Sequence, residues 1–200
     1  MKWKNIPRKV TSGLLLGLII AALSWTGCGN GDNGDNGDRV TYNVQISRFT
    51  TTNLTDARAD QILADKDTIL QNVDSPGDVA CNVGFIRNGP VTVFALGNGS
   101  INSEADFLAV NGQPGQVKVV NQINWCGALI PNVIGCAPAP GPSLVVVRFT
   151  PSLEGILWVH EFGHNKGLSH RTGTTLVMNP FIGSTQRAIN QTECDAYRTP

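Results

Sequence analysis

The sequence of 200 residues lacks a surplus of charge and any histidine outside one short segment. Its 15 basic and 15 acidic residues balance, but four basic ones, Lys2, Lys4, Arg8 and Lys9, lie at the N-terminus. The rest therefore carries 11 basic and 15 acidic residues, which excludes a basic patch for nucleic acid. Residues 39–200 contain no internal repeat, which excludes a repeat array. They have a suitable length for one domain with its own core.

Long apolar runs are also absent, and the one short run belongs to a leader. Residues 13–23 are apolar, follow a basic start and precede small residues, which is the order of a secretory signal peptide. A membrane-spanning helix would need about 20 apolar residues. Ser24-Trp25-Thr26-Gly27-Cys28 resembles the cleavage box of bacterial lipoproteins, although Trp25 stands where a Leu-like residue is usual. The resemblance implies that residues 1–27 are removed and that Cys28 is lipidated.

The leader predicts export, either as a lipoprotein on the outer membrane or periplasmic face or as a secreted protein. An ordinary signal peptide followed by a free thiol at Cys28 is the alternative. Residues 28–38 are rich in Gly, Asp and Asn and contain no apolar side chain after the cysteine, so they predict a flexible tether. Calcium binding by Asp32, Asp35 and Asp38 is disfavoured, because a calcium loop needs ligands at alternate positions and a distant Glu.

Five cysteines are an odd number for an exported chain. Assigning Cys28 to a lipid leaves four, and the oxidising environment outside the cytoplasm favours two disulfides. Three pairings are possible. The candidates are Cys81, Cys126, Cys136 and Cys194. A bond between Cys126 and Cys136 would pin the Pro- and Gly-rich segment around them. Trp125-Cys126-Gly127 lacks a second cysteine for a redox motif, so a structural disulfide is the preferred interpretation.

Hydrophobic patterning predicts alternating strands and helices. Residues 40–49 alternate as a half-buried strand does, and Thr55 caps a helix from Asp56 to Val73 with one apolar face. Asn88-Gly89-Pro90 is expected to join two strands as a hairpin-like turn. The remaining predictions are strands at 81–87, 91–96, 117–123 and 144–149, a short helix at 103–110, and a loop at 125–143.

All three histidines lie within HEFGHNKGLSH, residues 160–170. Thr150-Pro151-Ser152 opens a helix with proline at its first position, and Glu154 suits its first turn. His160 and His164 are four residues apart, so both project from one helical face. Gly167 ends the helix, which allows His170 to return as a third ligand. Three imidazoles leave a fourth position open, as in catalytic rather than structural zinc sites.

Glu161 supplies the other part of the predicted chemistry. Zinc lowers the pKa of a coordinated water, and the neighbouring carboxylate takes the proton. The nucleophile then attacks a carbonyl, and Glu161 passes the proton to the leaving amine. Core histidines in a buried helix are the alternative interpretation. They would not explain a third histidine placed just beyond a helix-ending glycine.

HEFGHNKGLSH resembles the zinc motif of the metzincins, HExxHxxGxxH. The resemblance implies a methionine-containing turn beneath the metal, and TLVMNP (175–180) supplies Met178 with a spacing similar to that of matrixins. Alone, Met178 would be an ordinary apolar residue in a turn. The family implies an α/β (α+β) fold with a five-stranded mixed sheet, two long helices, the motif on the second, and a small C-terminal subdomain. That subdomain would end in a helix, at about 184–197.

The resemblance also implies where a substrate lies. In the family it runs antiparallel to an edge strand, for which 117–124 is the candidate here, and the S1′ wall follows Met178. Two departures leave the subfamily open: Arg171 follows the third histidine, and Asn179-Pro180 replaces the tyrosine ligand of astacins. No segment with a zinc-blocking cysteine is visible.

The predicted function is that of a zinc endopeptidase acting as a monomer on peptides or proteins, with one zinc ion. Calcium binding stays open. A non-catalytic zinc-binding lipoprotein and an amidase acting on cell-wall peptides are the alternatives. The presence of Glu161 disfavours the former, because a structural zinc site needs no base.

Overall fold

Residues 38–200 are the part of the chain that the computed structural model describes. The predicted signal peptide, the lipidated Cys28 and the tether up to Gly37 lie outside these residues. The strands of the described part are β1 (Val40–Val44), β2 (Ile46–Phe49), β3 (Val83–Arg87), β4 (Thr92–Phe94), β5 (Ser100–Ile101), β6 (Val117–Val120), β7 (Gln122–Trp125), β8 (Leu129–Val133), β9 (Gly135–Cys136) and β10 (Leu144–Val147). Its helices are α1 (Asp56–Gln71), α2 (Glu104–Asn111), α3 (Glu154–Asn165) and α4 (Gln191–Arg198), with a 3-10 turn at Pro151–Leu153.

A five-stranded mixed sheet forms the centre of the fold, in the order β4-β2-β6-β10-β9. The first four strands are parallel, and β9 at the edge is antiparallel to β10. The predicted α/β fold class with a five-stranded mixed sheet is therefore confirmed. A two-stranded sheet joins β1 and β3, and a three-stranded sheet has the order β5-β7-β8.

The prediction that a substrate binds along residues 117–124 as an edge strand is wrong. Residues 117–124 divide between β6 and β7, and each of these strands is paired on both sides. Their backbone groups are already used by neighbouring strands, so a peptide cannot add to them. The short strand β9 lies at the end of the central sheet instead.

The predicted strand at 40–49 and the predicted hairpin also differ from the structure. Gln45 divides the strand, so that β1 pairs with β3 and β2 pairs with β4, both in parallel. The strands β3 and β4 are not paired with each other. Val44 lies opposite Arg87 in the pair of β1 and β3, and Ser47 lies opposite Thr92 in the pair of β2 and β4. Asn88-Gly89-Pro90 is therefore part of the connection from β3 to β4, which belong to two different sheets.

The helices α1 and α3 pack against one face of the central sheet. The Thr55 hydroxyl accepts a hydrogen bond from the Arg58 amide and caps α1, as predicted. Its buried apolar residues are Ala59, Ile62, Leu63, Ile69 and Leu70. The helix ends at Gln71, so Val73 is 62% exposed rather than part of the apolar face. Gly155 allows α3 to approach α1 closely, because a Cβ there would lie 2.7 Å from the Asp65 Cβ.

Alternating residues of β10 separate two hydrophobic clusters. Leu144 and Val146 belong to the cluster that contains α1 and α3, together with Val117 and Val119 of β6. Val145 belongs to the second cluster, which includes residues of α2. The strand predicted at 144–149 is therefore buried, although its regular part ends at Val147.

The segment predicted as a loop at 125–143 contains the strands β8 and β9. The strands β7 and β8 form an antiparallel pair, and β9 follows directly. A disulfide joins Cys126 to Cys136, and a second joins Cys81 to Cys194, which selects one of the three possible pairings. The Pro- and Gly-rich composition predicts a loop. Composition alone does not show which residues pair across strands, so these strands could not be predicted from it.

The C-terminal helix α4 is shorter than expected and begins at Gln191 rather than near Ser184. A capping box sets its start, because Asn190 and Glu193 each bond the backbone amide of the other. Among the described helices, none has both the length and the apolar character needed to cross a membrane.

Candidate metal centre

The helix α3 holds two of the three histidines in a buried frame. Its residues 154–161 are all buried, and Ile156, Leu157, Trp158 and Val159 belong to the main hydrophobic cluster. Glu154 at its start accepts hydrogen bonds from Arg58 of α1 and from Arg148. The position of His160 and His164 is therefore fixed by the packing of the whole helix.

A tight turn after α3 brings the third histidine to the other two. Gly167 adopts a φ of +83°, in the left-handed region that favours glycine. The amides of Lys166 and Leu168 both donate to the Gly163 carbonyl, so the chain reverses within a few residues. His170 follows, and the amide of Arg171 donates to the Met178 carbonyl.

The Nε2 atoms of the three histidines form a nearly equilateral triangle. The distances are 3.1 Å between His160 and His164, 3.2 Å between His164 and His170, and 3.3 Å between His160 and His170. In the described part of the chain, these three residues form the group whose ligand atoms lie close enough together to hold a metal ion. The structure thus brings together all three ligands predicted from their spacing.

The shortest of these distances, between His160 and His164, is not a hydrogen bond. The Nδ1 atoms of His160 and His164 lie 2.8 Å from the carbonyl oxygens of Val177 and Leu168, so each Nδ1 carries the proton that it donates. In the neutral ring Nε2 then holds only a lone pair. Two lone pairs that face each other at 3.1 Å repel unless a cation lies between them.

The triangle fits zinc. Zinc–nitrogen bonds of about 2.0–2.1 Å in a tetrahedron place neighbouring ligand atoms about 3.3 Å apart. The observed edges of 3.1–3.3 Å match this value. Carbonyl groups that orient the imidazoles are the usual support of a metal site. The arrangement therefore suits a zinc-type ion with one side left for another ligand.

Burial favours the neutral, metal-binding form of the histidines. It lowers the pKa of His160 to about 4, with smaller contributions from His164 and His170. Burial and the neighbouring His164 also lower the pKa of His170. At neutral pH His160 is uncharged, so its Nε2 lone pair is available to a cation.

Glu161 lies buried beside His160, at the edge of the central sheet. Burial raises the pKa of its carboxyl group to about 8, whereas a divalent cation nearby would favour the charged form. Among the described residues its Oε2 has no hydrogen-bond partner. Buried polar atoms without partners are rare and often belong to functional groups.

Gly135 of β9 makes room for this carboxylate. A Cβ added to Gly135 would lie 2.2 Å from Oε1 of Glu161. The edge strand therefore packs directly against the Glu161 side chain. The sequence showed Gly135 only as one of many glycines in a predicted loop, so no local signal identified its role.

Met178 is fully buried and packs beneath α3. A Cβ on Gly163 would lie 2.5 Å from the Met178 sulfur and 2.6 Å from the Tyr197 hydroxyl. Met178 is therefore an apolar floor under the helix, and the carbonyl of its neighbour Val177 orients His160. Tyr197 has no signal in the sequence, whereas Gly163, inside the histidine motif, could have been read as a position of close packing.

The three histidines and Glu161 open into a cleft of about 780 Å³. Pro180, Phe181 and Ile182, which follow Met178, line the cleft, together with Ile130 and Pro131 of β8. Among the residues that line it, Glu161 is the only acid, and lysine and arginine are absent. The walls around the histidines are thus largely apolar.

Similarity to known proteins is found among solved structures. No protein-family model matches the chain, and a search of curated proteins finds no relative. Among solved structures, an archaemetzincin from Methanopyrus kandleri is similar, with 14% identity, a TM-score of 0.53, and coverage of 82% of this chain and 96% of its own. Mirolysin, in complex with a compound, has 12% identity, a TM-score of 0.58, and coverage of 81% and 91%.

At such low identities, the likeness shows the fold alone. The chain has a mixed α/β fold similar to that of these metallopeptidases, and it carries a histidine triad suited to a zinc-type ion.

Proposed function

We propose that this chain is a zinc-dependent endopeptidase in which Glu161 acts as the general base. The observation that carries the proposal is the triangle of Nε2 atoms, with the unpartnered Glu161 carboxylate next to it. A structural zinc site is closed by a fourth protein ligand. This triad has three ligands and opens into a cleft that can admit a substrate.

Each residue has a defined part in the proposed hydrolysis. His160, His164 and His170 hold the ion, which supplies Lewis-acid chemistry to a water and to the substrate carbonyl. Glu161 takes the proton of the attacking water and delivers it to the leaving amine. Met178 supports the floor of the site through its contact with α3.

The cleft favours an extended peptide with uncharged side chains. Among the strands of residues 38–200, the edge strand β9 pairs only with β10, so its free side can accept a substrate strand by β-augmentation. Apolar residues of β8 and the segment after Met178 line the cleft around the metal. Lysine or arginine to bind an acidic side chain is absent from this lining, which disfavours acidic residues near the scissile bond.

We further propose that the protein acts outside the cytoplasm. Residues 1–27 would be removed as a signal peptide, Cys28 would carry a lipid, and residues 28–38 would hold the enzyme away from the membrane. The two disulfides support this proposal, because such bonds persist in oxidising compartments.

The test is cleavage of a peptide library by the full chain, with Glu161→Gln as the variant. We expect the variant to retain one zinc per chain and to lose activity by about a thousandfold, since general-base catalysis contributes about 10²–10⁴. A chelator should abolish the parent activity. Glu104→Gln on α2 is the matched control, because this exposed glutamate lies outside the cleft, and it should match the parent.

Two outcomes would contradict the proposal. Equal cleavage by the parent and Glu161→Gln would remove Glu161 as the base. Zinc binding without cleavage of any library peptide would favour a non-catalytic site. Cleavage of cell-wall peptides alone would indicate that the enzyme is an amidase with the same chemistry.

A further inference from the structure

A second cavity, of about 810 Å³, lies on the other side of α3. Its lining includes Phe162 and Asn165 of α3, Tyr42 of β1, and the beginnings of β6 and β10 at Val117 and Leu144. It shares no lining residue with the cleft of the candidate metal centre. Any ligand bound there is therefore separate from a substrate at the histidines.

Lys66 of α1 is buried in the wall of this cavity. Its side chain is 1% exposed, and Nζ lies 3.4 Å from the centre of the Phe85 ring and 4.0 Å from that of Phe162. The two rings attract the cation, but cation–π contacts offset only part of the cost of removing an ammonium group from water.

The nearest acid in the sequence does not neutralise Lys66. Asp67 accepts hydrogen bonds from Arg39, at 2.8 Å, and from the Phe85 amide, at 2.8 Å. Burial lowers the pKa of Lys66 well below its ordinary value, and the charge of Lys166 lowers it further, although Asp67 acts in the opposite direction. Burial thus favours the neutral amine at Lys66, and an anion bound beside it would favour the charged ammonium form.

A second lysine reaches the same cavity. The Lys166 Nζ donates to the Thr199 carbonyl at 2.6 Å and lies 4.4 Å from the centre of the Tyr42 ring. Aspartate and glutamate are absent from the cavity lining, and so is arginine. Two lysines in a lining without aspartate or glutamate, set among apolar and aromatic walls, suit a monoanion with an apolar body better than phosphate, which needs more donors.

We propose that this cavity binds a small carboxylate with an apolar body, whose charged end lies between Lys66 and Lys166. The carboxylate would accept hydrogen bonds from both ammonium groups, and the apolar part would pack on Val44, Val117 and Leu144. Through Phe162 and Asn165 the ligand would contact the back of the helix that carries His160 and His164.

The probe is octanoate, titrated calorimetrically into the full chain and compared with its neutral analogue octanamide and with inorganic phosphate. We expect one octanoate site. Octanamide should bind at least about tenfold more weakly, because it loses a charge-assisted hydrogen bond to a buried partner. Phosphate should also bind at least about tenfold more weakly, because it has no apolar body to pack on the cavity walls. Equal affinity for octanoate and octanamide would overturn the proposal, and preference for phosphate would replace the carboxylate by a phosphate group.

Variants locate the binding site. Lys66→Met and Lys166→Met should each weaken octanoate binding by about tenfold to a hundredfold. Lys118→Met is the matched control, because Lys118 is equally buried but does not line the cavity, and it should bind as the parent does. If Lys66→Met fails to fold, the partly exposed Lys166 decides the result, and parent-like binding by its variant would refute the site.

A further variant tests whether octanoate binds at the candidate metal centre instead of the cavity. His164→Ala should lose zinc yet bind octanoate with the affinity of the parent. Loss of octanoate binding in this variant would mean that the carboxylate binds the metal rather than the cavity. Since the cavity and cleft share no residue, failure here leaves the proposed peptidase activity untouched.

Discussion

At the scale of single residues, the space around Glu161 decides whether the proposed base is well placed. Its side chain is buried against Gly135, whose missing side chain leaves room for Oε1 at the edge strand. The same carboxylate neighbours His160 in the sequence. A general base must lie within hydrogen-bond reach of the proton that it takes, so a small displacement of Glu161 matters for activity more than for folding.

Replacement of Gly135 by alanine tests this arrangement. The new Cβ would lie 2.2 Å from Oε1, so the Glu161 side chain has to move. We expect Gly135→Ala to retain zinc and to lose about a hundredfold in kcat, the effect of misplacing a catalytic group by about 1 Å. Peptidase kinetics and metal analysis measure both quantities.

Gly84→Ala provides the control. The added Cβ would also lie 2.2 Å from a side-chain atom, but that atom belongs to the guanidinium of Arg39. The Arg39 side chain is 47% exposed, so it can move away. This variant should keep the parent activity. An unchanged kcat in Gly135→Ala would show that the position of Glu161 does not depend on the edge strand.

The three histidines of the candidate metal centre could be predicted at this scale, but the groups that support them could not. His160, His164 and His170 follow from helical spacing and a helix-ending glycine, which are local properties of the chain. The carbonyl of Val177, which orients His160, is 17 residues away from it in the sequence. Gly135 likewise reaches Glu161 only through the pairing of β9 with β10, and no local pattern records such contacts.

At the scale of elements, the segment with the third histidine is anchored to the C-terminal helix. Arg171 directly follows His170, and its Nη1 lies 2.8 Å from Oε2 of Glu193 in α4. Glu193 is buried and also forms the capping box of that helix with Asn190. Arg171 therefore connects the segment that carries His170 to α4.

Loss of this ion pair should loosen His170. We expect Arg171→Met to weaken zinc binding by about tenfold, the lower end of the effect of removing groups that support metal ligands. Competition with a chelating dye measures the zinc affinity. Arg187→Met is the control, since Arg187 is partly exposed like Arg171 and forms an ion pair with Asp74 away from the histidines. Equal zinc affinity of both variants would contradict a positioning role for Arg171.

Elements with strong local signals were predicted well, and those defined by distant pairing were not. Thr55 caps α1 as predicted, and the short helix predicted at 103–110 is α2, which Ser103 caps. The hairpin of β7 and β8 was missed, because proline and glycine indicate a turn but not the partner of a strand. The division of residues 117–123 between β6 and β7 also depends on which strands lie beside them.

At the scale of the whole molecule, Glu154 connects three parts of the fold. It starts α3, it accepts from Arg58 of α1 at 2.9 and 3.0 Å, and it pairs with Arg148 just beyond β10. The carboxylate is buried, whereas both arginines are partly exposed. Removal of one partner of a buried ion pair leaves the others uncompensated, so this group bears on global stability.

Acid should weaken this connection. Burial raises the pKa of Glu154, but the hydrogen bonds from Arg148 and Arg58 and from the Phe149 amide lower it more, so the net pKa is below its ordinary value of 4.5. A lowered pKa in the folded state means that the stabilisation is present above the pKa of the unfolded chain. It is lost as the pH falls through the folded-state value.

Glu154→Gln separates this effect from all other titrations. At pH 7 we expect the variant to lose about 3 kcal/mol in the free energy of unfolding, measured with urea and intact disulfides. As the pH falls below about 4.5, protonation makes the parent resemble the variant, so the difference between them should shrink. Histidines and other carboxyl groups titrate equally in both proteins and cancel from this difference. A gap that stays constant from pH 7 to pH 3 would show that the charge of Glu154 does not hold α1, α3 and the end of β10 together.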